Sequence, residues 1–365
     1  MATINFTSFK EQKIPAVKKN MLGNTSTYSW IKRINQEVFA LLPPNLRRIV
    51  EQLPLSYLEQ LEEIRLRKGR SISFKLVDRD FTIDDGGQLC SLLSSGYRVT
   101  EEDLINTLQL ISNCSVYALE EEFRRGFITI KGGHRVGIVG KAILTKGSIK
   151  TQKDFSSLNI RLAREVKGVA NKIVPFLIDR TTNSINHVLI ISPPGCGKTT
   201  MLRDLVRIIS NGIPELDFSG VDVGVVDERS EIAACYQGLP QNDVGLRTDV
   251  LDGSPKAEGM VLMLRSMNPK VIATDEIGSL EDVAAIQEVI NCGIKLVTTI
   301  HGYHLDDIYK RPALSSLLNN NFVGRFIVLG KSKGVGTVEG IYHQLHGKNM
   351  LHTSISGMKD GETSD

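Results

Sequence analysis

Five short apolar runs in the second half of the chain predict five buried strands of one parallel sheet. They cover residues 187–192, 222–227, 271–275, 294–300 and 322–329. Consecutive apolar positions are typical of strands that are covered on both faces. Helical stretches separate the strands, notably 198–210 and 280–291, and Ser279 with Asp282 predicts a capping box before the second of these helices. This alternation of strand and helix predicts an α/β domain over residues 187–352.

The first half of the chain shows a mixed pattern. Apolar positions recur at helical spacing over 29–62, with a break at Pro43-Pro44, and Thr100 with Asp103 predicts the start of a further helix. Four stretches indicate strands of a half-exposed sheet, the third and fourth joined as a hairpin: 63–67, 71–76, 127–130 and 132–140. A fifth strand is expected at 158–163. Strands and helices without strict alternation predict a smaller α+β domain over 29–165.

Three remaining segments complete the predicted domain organisation. Residues 1–28 carry lysines among polar residues and predict a flexible basic extension. Residues 166–186 are expected to form a connecting helix and linker between the two domains. The polar tail over 353–365 is expected to be disordered.

Composition restricts the classes of protein that fit this chain. The chain has 365 residues, of which 41% are hydrophobic, and a formal net charge of +3, which is too small to indicate nucleic-acid binding by itself. The five cysteines lie far apart without a C-x-x-C pair, which favours a reducing cytosol over a disulfide scaffold or structural zinc site. No apolar stretch approaches the roughly 20 residues of a membrane span, so we expect any membrane role to be peripheral.

A strand, a glycine-rich turn and a helix follow one another at the start of the α/β domain and form a phosphate-binding P-loop. The turn reads Ser-Pro-Pro-Gly-Cys-Gly-Lys-Thr-Thr over residues 192–200. We expect Lys198 to reach the β- and γ-phosphate oxygens and the Thr199 hydroxyl to hold Mg²⁺. Ser192 stands where the motif has its first glycine, and Gly195 is expected to supply a positive φ. The predicted nucleotide-binding residues are Pro194, Gly195, Cys196, Gly197, Lys198, Thr199 and Thr200.

Two carboxylates end the strand predicted at 271–275. Asp275 and Glu276 follow an apolar run about eighty residues after the P-loop. Ligands gather at the carboxyl ends of parallel strands. We expect Asp275 to hold the Mg²⁺ shell and Glu276 to accept a proton from the water that attacks the γ-phosphate. The second carboxylate therefore predicts hydrolysis, beyond nucleotide binding.

The strand predicted at 294–300 also ends in polar side chains. In additional-strand ATPases the equivalent strand lies between the P-loop strand and the Asp-Glu strand. Thr298 or Thr299 is then expected to touch the γ-phosphate or the attacking water. His301 is interpreted either as a capped loop residue or as a contact to the nucleotide or the Asp-Glu pair. His301 is not interpreted as a metal ligand, because no second His or Cys lies at a suitable spacing from it.

Three further groups of residues have more than one interpretation. Asp227 or Glu228 is interpreted as orienting water or Mg²⁺, or as part of a local arginine–carboxylate network. Arg265 is a candidate phosphate sensor or arginine finger acting in trans, with Arg229 and Arg247 as rivals. Cys196, inside the P-loop, is expected to be a small buried filler, and a redox switch is the alternative.

These motifs resemble the stage III sporulation protein AA family, which is similar to the type II and type IV secretion ATPases. The resemblance spans roughly residues 30–345 and rests on seven segments: 63–67, 132–138, 158–161, 192–200, 226–232, 264–277 and 298–302. It implies a RecA-like, additional-strand P-loop NTPase core with a smaller N-terminal α+β domain. It places the Walker A motif at Lys198, the Asp box at Glu228, Walker B at Asp275-Glu276 and the His box at His301. Ile277 stands where the secretion ATPases have an arginine.

The resemblance also implies a function. It implies an ATP- and Mg²⁺-dependent motor for the channel that feeds the forespore of an endospore-forming bacterium. Such a motor would be cytoplasmic in the mother cell and held at the membrane by membrane-bound sporulation channel proteins. A homo-oligomer is expected, in the form of a hexameric ring. Its catalytic residues are expected to be Glu276, Lys198, Glu228, His301 and Arg265.

Two alternative functions stay open. A nucleic-acid-handling P-loop ATPase is one, with arginine-rich strands around Arg65 and Arg135 as the phosphate contacts. The low net charge and the lack of an RNP, KH or helix-turn-helix signature make nucleic-acid binding the less favoured function. The other is a nucleotide-gated assembly scaffold without useful turnover, which Glu276 argues against.

Overall fold

The computed structural model describes residues 25–84, 86–112, 119–309, 311, 313, 323–343 and 347–351. Within them the chain divides after Ala163 into two compact units, each with a seven-stranded sheet. The tail predicted at 353–365 and most of the extension predicted at 1–28 lie outside the described residues. No helix among the described residues is both long and apolar enough to span a membrane.

The first unit is an α+β domain whose sheet is antiparallel throughout. Its helices are α1 Thr25–Glu37, α2 Pro44–Glu51, α3 Leu55–Leu58, α4 Glu101–Ile111 and α5 Glu120–Arg125. Its strands are β1 Glu63–Arg67, β2 Ser73–Lys75, β3 Asp80–Ile83, β4 Leu89–Cys90, β5 Phe127–Thr129, β6 Arg135–Thr145 and β7 Ser148–Arg161. They lie in the order β4-β3-β2-β1-β7-β6-β5.

Local sequence explains much of this unit. Ile64 and Leu66 of β1 are fully buried while the alternating charged residues are only partly covered, as the period of two requires. The capping box at Thr100 and Asp103 starts α4, which confirms the predicted helix start. The expected hairpin is present as β5 and β6. The sequence did not predict how far β6 and β7 extend together beyond the sheet.

The second unit is the α/β domain. Its helices are α6 Lys198–Asn211, α7 Lys256–Met267, α8 Leu280–Asn291 and α9 Asp306–Tyr309. Its strands are β8 Ile178–Asp179, β9 Ser184–Ile185, β10 Val188–Ser192, β11 Val223–Asp227, β12 Thr248–Asp252, β13 Val271–Thr274, β14 Lys295–His301, β15 Arg325–Gly330 and β16 Thr337–Tyr342. The main sheet has the order β12-β11-β13-β14-β10-β15-β16, and it is parallel from β12 to β15. Only β16 runs antiparallel to its neighbour.

This strand order brings the site together. All five predicted strands of the sheet are present as β10, β11, β13, β14 and β15. Strand β14 lies between β13 and β10, which confirms the additional-strand order expected from the sequence. Because neighbouring parallel strands end at the same edge, the polar ends of these three strands lie side by side.

The segment over residues 166–186 belongs to the second unit. It forms the short β8–β9 hairpin and a 3-10 turn, rather than the predicted connecting helix. Ala170, Val174 and Leu177 are fully buried in one of the two hydrophobic cores of this unit. This segment therefore helps to cover the sheet that carries the site.

Candidate active site

The P-loop connects β10 to α6. Gly195 and Gly197 have φ values of 67° and 82°, so both positions need the conformational freedom of glycine. Ser192 has no positive φ, lies in the buried end of β10, and accepts a hydrogen bond from Gly302 N at 3.2 Å through its carbonyl oxygen. The backbone at Ser192 is thus ordinary strand, which explains why a residue other than glycine fits there.

Asp275 is held between two hydroxyl groups. Thr199 Oγ1 donates to one carboxylate oxygen at 2.5 Å, and the Thr299 hydroxyl donates to the other. A threonine hydroxyl and a carboxylate are the hard oxygen ligands that Mg²⁺ prefers, with phosphate and water completing its shell. The residues predicted to hold Mg²⁺, Thr199 and Asp275, therefore lie together and fit the ion.

Glu276 is the centre of a cluster of basic side chains. Its carboxylate lies 2.6 Å from Lys198 Nζ, 3.0 Å from His301 Nε2 and 3.3 Å from an Arg229 guanidinium nitrogen. The backbone at Glu276 has a φ of 52°, an uncommon conformation for this residue type. The Glu276 N–H donates to Thr299 Oγ1 at 2.9 Å, which stabilises this turn. The sheet thus brings Lys198, Glu276 and His301 into direct contact.

The charges around Glu276 determine its protonation. Burial alone raises the pKa of Glu276, but the hydrogen bond and charge of Lys198, together with the charges of His301 and Arg229, lower it by more. The net pKa of Glu276 lies below its ordinary value. The carboxylate is therefore ionised at neutral pH and able to accept a proton.

The two acids at the end of β11 differ in environment. Asp227 is buried and accepts hydrogen bonds from the backbone N–H groups of Glu231, Ile232 and Ala233 at 2.8, 3.0 and 2.9 Å. Burial raises the pKa of Asp227 to about 6, against these hydrogen bonds. Asp227 thus fixes the following loop.

Glu228 instead forms an ion pair with Lys256 of α7. Both side chains line a small pocket together with Asp275 and Glu276. Lys256 was not singled out from the sequence, because a single lysine at a helix start carries no signal of its partner. The role predicted for Glu228 in orienting water or Mg²⁺ stays a prediction.

The three candidate arginines occupy different positions. Arg229 is bound to Glu276 within the same chain. Arg247 donates to Ser210 O at 3.0 Å, at the end of α6. Arg265 lies in the last turn of α7 with its side chain 73% exposed and pairs with Glu288 at 3.4 Å. Among the contacts described within this chain, none joins Arg265 to the P-loop or to Glu276.

The turn between β15 and β16 lies against the P-loop. Lys331 Nζ is 3.9 Å from the point that a Cβ would occupy on Gly195, and Val335 Cγ1 is 3.6 Å from the equivalent point on Gly197. Lys331 also lines a cavity of about 1000 Å³ that includes Pro194 and Cys196 of the P-loop. A cavity of this size accommodates a nucleotide-sized ligand. Lys331 could not be predicted from the sequence, because its position depends on the pairing of β15 with β10.

The two threonines predicted as candidate contacts to the γ-phosphate or the attacking water, Thr298 and Thr299, have different partners. The hydroxyl of Thr298 is buried and donates to Thr274 O at 2.8 Å, so it joins two strands. Thr299 is the one that contacts Asp275 and Glu276.

Cys196 is buried, with Sγ 3.9 Å from Pro194 O, in agreement with its interpretation as a small filler.

Comparison with known proteins gives consistent results. Residues 32–350 match the family described as sporulation stage III, protein AA. The chain is 41% identical over 306 residues to stage III sporulation protein AA of Bacillus subtilis (strain 168), which covers 84% of this chain and 94% of that protein. It is 25% identical over 280 residues to SEEDLING PLASTID DEVELOPMENT 1 of Arabidopsis thaliana, which covers 76% of this chain and 35% of that protein. The solved structure of the pilus retraction motor PilT with bound ADP shares the fold, with a TM-score of 0.50 at 14% identity over 86% of this chain and 85% of that one.

Proposed function

Because this chain belongs to the sporulation stage III protein AA family, we propose that it is a Mg-ATP-hydrolysing motor of the secretion-ATPase type. The family match spans residues 32–350 and so includes both units. The P-loop NTPase fold is shared with a pilus motor that binds ADP. Together these likenesses support a nucleotide-driven motor.

One observation carries the proposal: four side chains from two different elements meet the Asp275–Glu276 pair. Thr199 and Lys198 come from the start of α6, while Thr299 and His301 come from β14. A site that only bound nucleotide would need no carboxylate aimed between the P-loop lysine and a histidine. Glu276 supplies the base that hydrolysis requires.

The ion pair between Lys198 and Glu276 suggests how binding and chemistry are linked. The lysine of a P-loop reaches the phosphates, so bound ATP draws Lys198 away from Glu276. The carboxylate then loses the largest of the interactions that lower its pKa and becomes a stronger base. Glu276 thus gains basicity when the attacking water needs to lose its proton.

The remaining residues position the reactants. Thr199 and Asp275 would hold Mg²⁺, which when bound neutralises charge on the β- and γ-phosphates. The Thr299 hydroxyl donates to Asp275 and accepts the backbone N–H of Glu276, so Thr299 sets the distance between the two carboxylates. His301 lies within hydrogen-bond distance of Glu276. It therefore keeps the Glu276 carboxylate oriented when Lys198 moves to the phosphates.

We further propose an assembly and a cellular setting for this motor. The motor forms a homo-oligomeric ring, expected to be hexameric, in the cytoplasm of the mother cell. It energises a channel to the forespore through membrane-bound sporulation channel proteins. The relative from a Bacillus species supports the sporulation setting, and the shared fold with a pilus motor supports mechanical use of ATP.

Phosphate release by the purified chain tests the proposal. The wild type is expected to hydrolyse Mg-ATP, Glu276→Gln to bind ATP with turnover reduced about 100-fold or more, and Lys198→Ala to lose ATP binding. Glu281→Gln, an exposed glutamate at the start of α8, is the matched control and is expected to keep full turnover. Unchanged turnover in Glu276→Gln would overturn the proposal.

A further inference from the structure

The outer part of the β6–β7 hairpin is a cationic arm. Residues 141–153 contain Lys141, Lys146, Lys150 and Lys153, and no Asp, Glu, Arg or aromatic residue. Among the described residues, none of these four lysines lies within salt-bridge distance of a carboxylate. In the described part of the chain, the acidic groups beside the hairpin lie at its base: Asp154 follows the arm, and α5, which begins with three glutamates, packs against β7.

The register of the arm places like charges opposite each other. Lys141 pairs directly with Lys153, and both belong to the part of the hairpin that extends past the sheet. Like charges in directly opposite positions destabilise a strand pair. This arrangement is stabilised when an anionic surface covers the arm.

The arm also exposes aliphatic side chains close to its tip. Leu144 and Ile149 are cross-strand partners, and they are 62% and 46% exposed. They lie one pair behind the Lys146-Gly147 turn, whose residues both have a positive φ, as in the two-residue turns that close hairpins. An apolar pair next to a lysine-tipped turn is suited to the boundary between lipid headgroups and acyl chains.

The base of the arm is held in a fixed orientation. A bulge follows Val139, and a Cβ on Gly140 would lie 2.5 Å from Lys153 O, so only glycine fits this close approach. The Gln152 side chain accepts from Gly140 N at 2.9 Å and donates to Phe123 O at 2.8 Å. The arm is therefore oriented before it meets a partner, which reduces the entropy lost on binding.

We propose that the arm over residues 141–153 docks the protein directly onto an anionic lipid surface. Lysines attract acidic headgroups, and Leu144 with Ile149 enters the headgroup boundary. Nucleic acid is the less suitable partner, because stacking aromatics and arginines, which single strands and grooves favour, do not occur in the arm. The proposal concerns a surface of the first unit and does not depend on ATP hydrolysis.

Vesicle sedimentation with the full-length chain tests this docking. The wild type is expected to bind vesicles that contain phosphatidylglycerol. It is expected not to bind vesicles that consist only of phosphatidylcholine. Lys146→Gln with Lys150→Gln is expected to weaken binding about thirty-fold, since each basic side chain near such a surface contributes about 1 kcal/mol. The matched control is Lys172→Gln with Lys270→Gln, which removes the same charge from exposed positions of the second unit.

A second variant separates insertion from charge attraction. Leu144→Thr with Ile149→Thr keeps β-forming residues and all four lysines, and is expected to weaken binding about ten-fold. Docking would be overturned by a wild type that does not sediment with anionic vesicles, or by a control variant that loses as much binding as Lys146→Gln with Lys150→Gln. Binding of oligonucleotides through the same lysines, without vesicle binding, would assign the arm to nucleic acid instead.

Discussion

A single threonine determines the relative positions of the Asp275 and Glu276 carboxylates. Thr299 donates its hydroxyl hydrogen to Asp275 and accepts the N–H of Glu276, a residue whose φ is positive. A conformation of that kind costs about 1–3 kcal/mol and persists only where neighbouring contacts enforce it. We therefore expect Thr299 to matter more to turnover than to folding.

The first prediction compares two adjacent threonines of β14. Thr299→Val is expected to lower kcat about 10- to 100-fold, because Asp275 and Glu276 both lose their hydrogen bond to this side chain. Thr298→Val removes an equally buried hydroxyl that, among the described residues, donates to Thr274 O and contacts neither Asp275 nor Glu276. It is expected to cost about 1 kcal/mol of stability and to keep kcat. Steady-state phosphate release and urea unfolding measure both effects, and equal turnover in the two variants would contradict the role given to Thr299.

The second prediction concerns Lys331, whose ammonium lies beside the P-loop at Gly195. Lys331→Met is expected to weaken ATP and ADP binding about ten-fold, because a hydrogen bond to a charged group contributes about 1.5–3 kcal/mol. Adenosine, which has no phosphate, is expected to bind equally well to both proteins. Lys333→Met, in the same turn, is the matched control. Calorimetric titration distinguishes them, and the assignment fails when Lys333→Met weakens ATP binding as much as Lys331→Met.

At the scale of whole elements, His187 joins the start of β10 to β14. Its Nδ1 accepts the Leu296 N–H at 3.2 Å, which requires the neutral imidazole. Burial lowers the pKa of His187 from 6.5 to about 4, and the charge of Lys295 adds to the shift. Because the unfolded chain binds this proton at a higher pH than the folded chain, stability falls as pH drops from about 6.5 towards 4.

The third prediction follows from that sign. Between about pH 7 and pH 5, His187 is expected to reduce the free energy of unfolding by about 1–2 kcal/mol. His187→Asn, whose side-chain oxygen can accept from Leu296, is expected to remove this part of the pH dependence. Asp227 contributes a pH dependence of the opposite sign, because its pKa is raised to about 6 in the folded chain. That contribution is the same in the wild type and in His187→Asn, so it cancels in the comparison. Urea unfolding at the two pH values measures the difference, and identical pH dependence would contradict the assignment.

The sequence predicted the sheet that carries the site better than the parts around it. Strands β10, β13 and β14 are continuous apolar runs because both faces are covered, and such runs are visible without any tertiary information. Strand β12 is at the edge of the sheet and mixes aspartates with apolar residues, so it carried no such signal. The outer part of β6 and β7 was missed for the same reason, since its side chains are largely exposed.

The candidate site also combines residues that local sequence predicts with residues that only the packing brings there. The P-loop and the Asp275–Glu276 pair were recognisable because their spacing along the chain carries the chemistry. Lys256 and Lys331 were not, because each reaches the site only through the packing of its own helix or strand against another. Contacts that depend on strand order cannot be derived from local residue spacing.

For the whole molecule, Arg265 provides a test of how the subunits of the proposed ring would cooperate. Arg229 is already bound to Glu276, and Arg247 is bonded to the end of α6, so both act within their own chain. Arg265 is exposed and has only a surface pair with Glu288, which contributes about 0–1 kcal/mol. Arg229 is also largely exposed, but it faces Glu276 of its own chain, so Arg265 is the arginine that we expect to reach the site of a neighbouring subunit.

The fourth prediction mixes two variants that are each expected to be inactive. Arg265→Ala keeps Glu276 but lacks the proposed finger, whereas Glu276→Gln lacks the proposed base but keeps that finger. In rings assembled from equal amounts of both, about a quarter of the interfaces join an intact site to an intact finger. Phosphate release is therefore expected to recover to roughly that fraction of the wild-type rate.

A third variant gives the control for this mixing experiment. Arg229→Ala removes a cation that contacts Glu276 of its own chain, so a neighbouring subunit cannot replace it. Mixing Arg229→Ala with Glu276→Gln is therefore expected to restore no phosphate release beyond that of the separate variants. Recovery with Arg265→Ala and none with Arg229→Ala means that the motor completes its site across a subunit boundary. Recovery in neither mixture would contradict a role of Arg265 in trans. Arg265 would then be a surface residue, and the site would be complete within one chain.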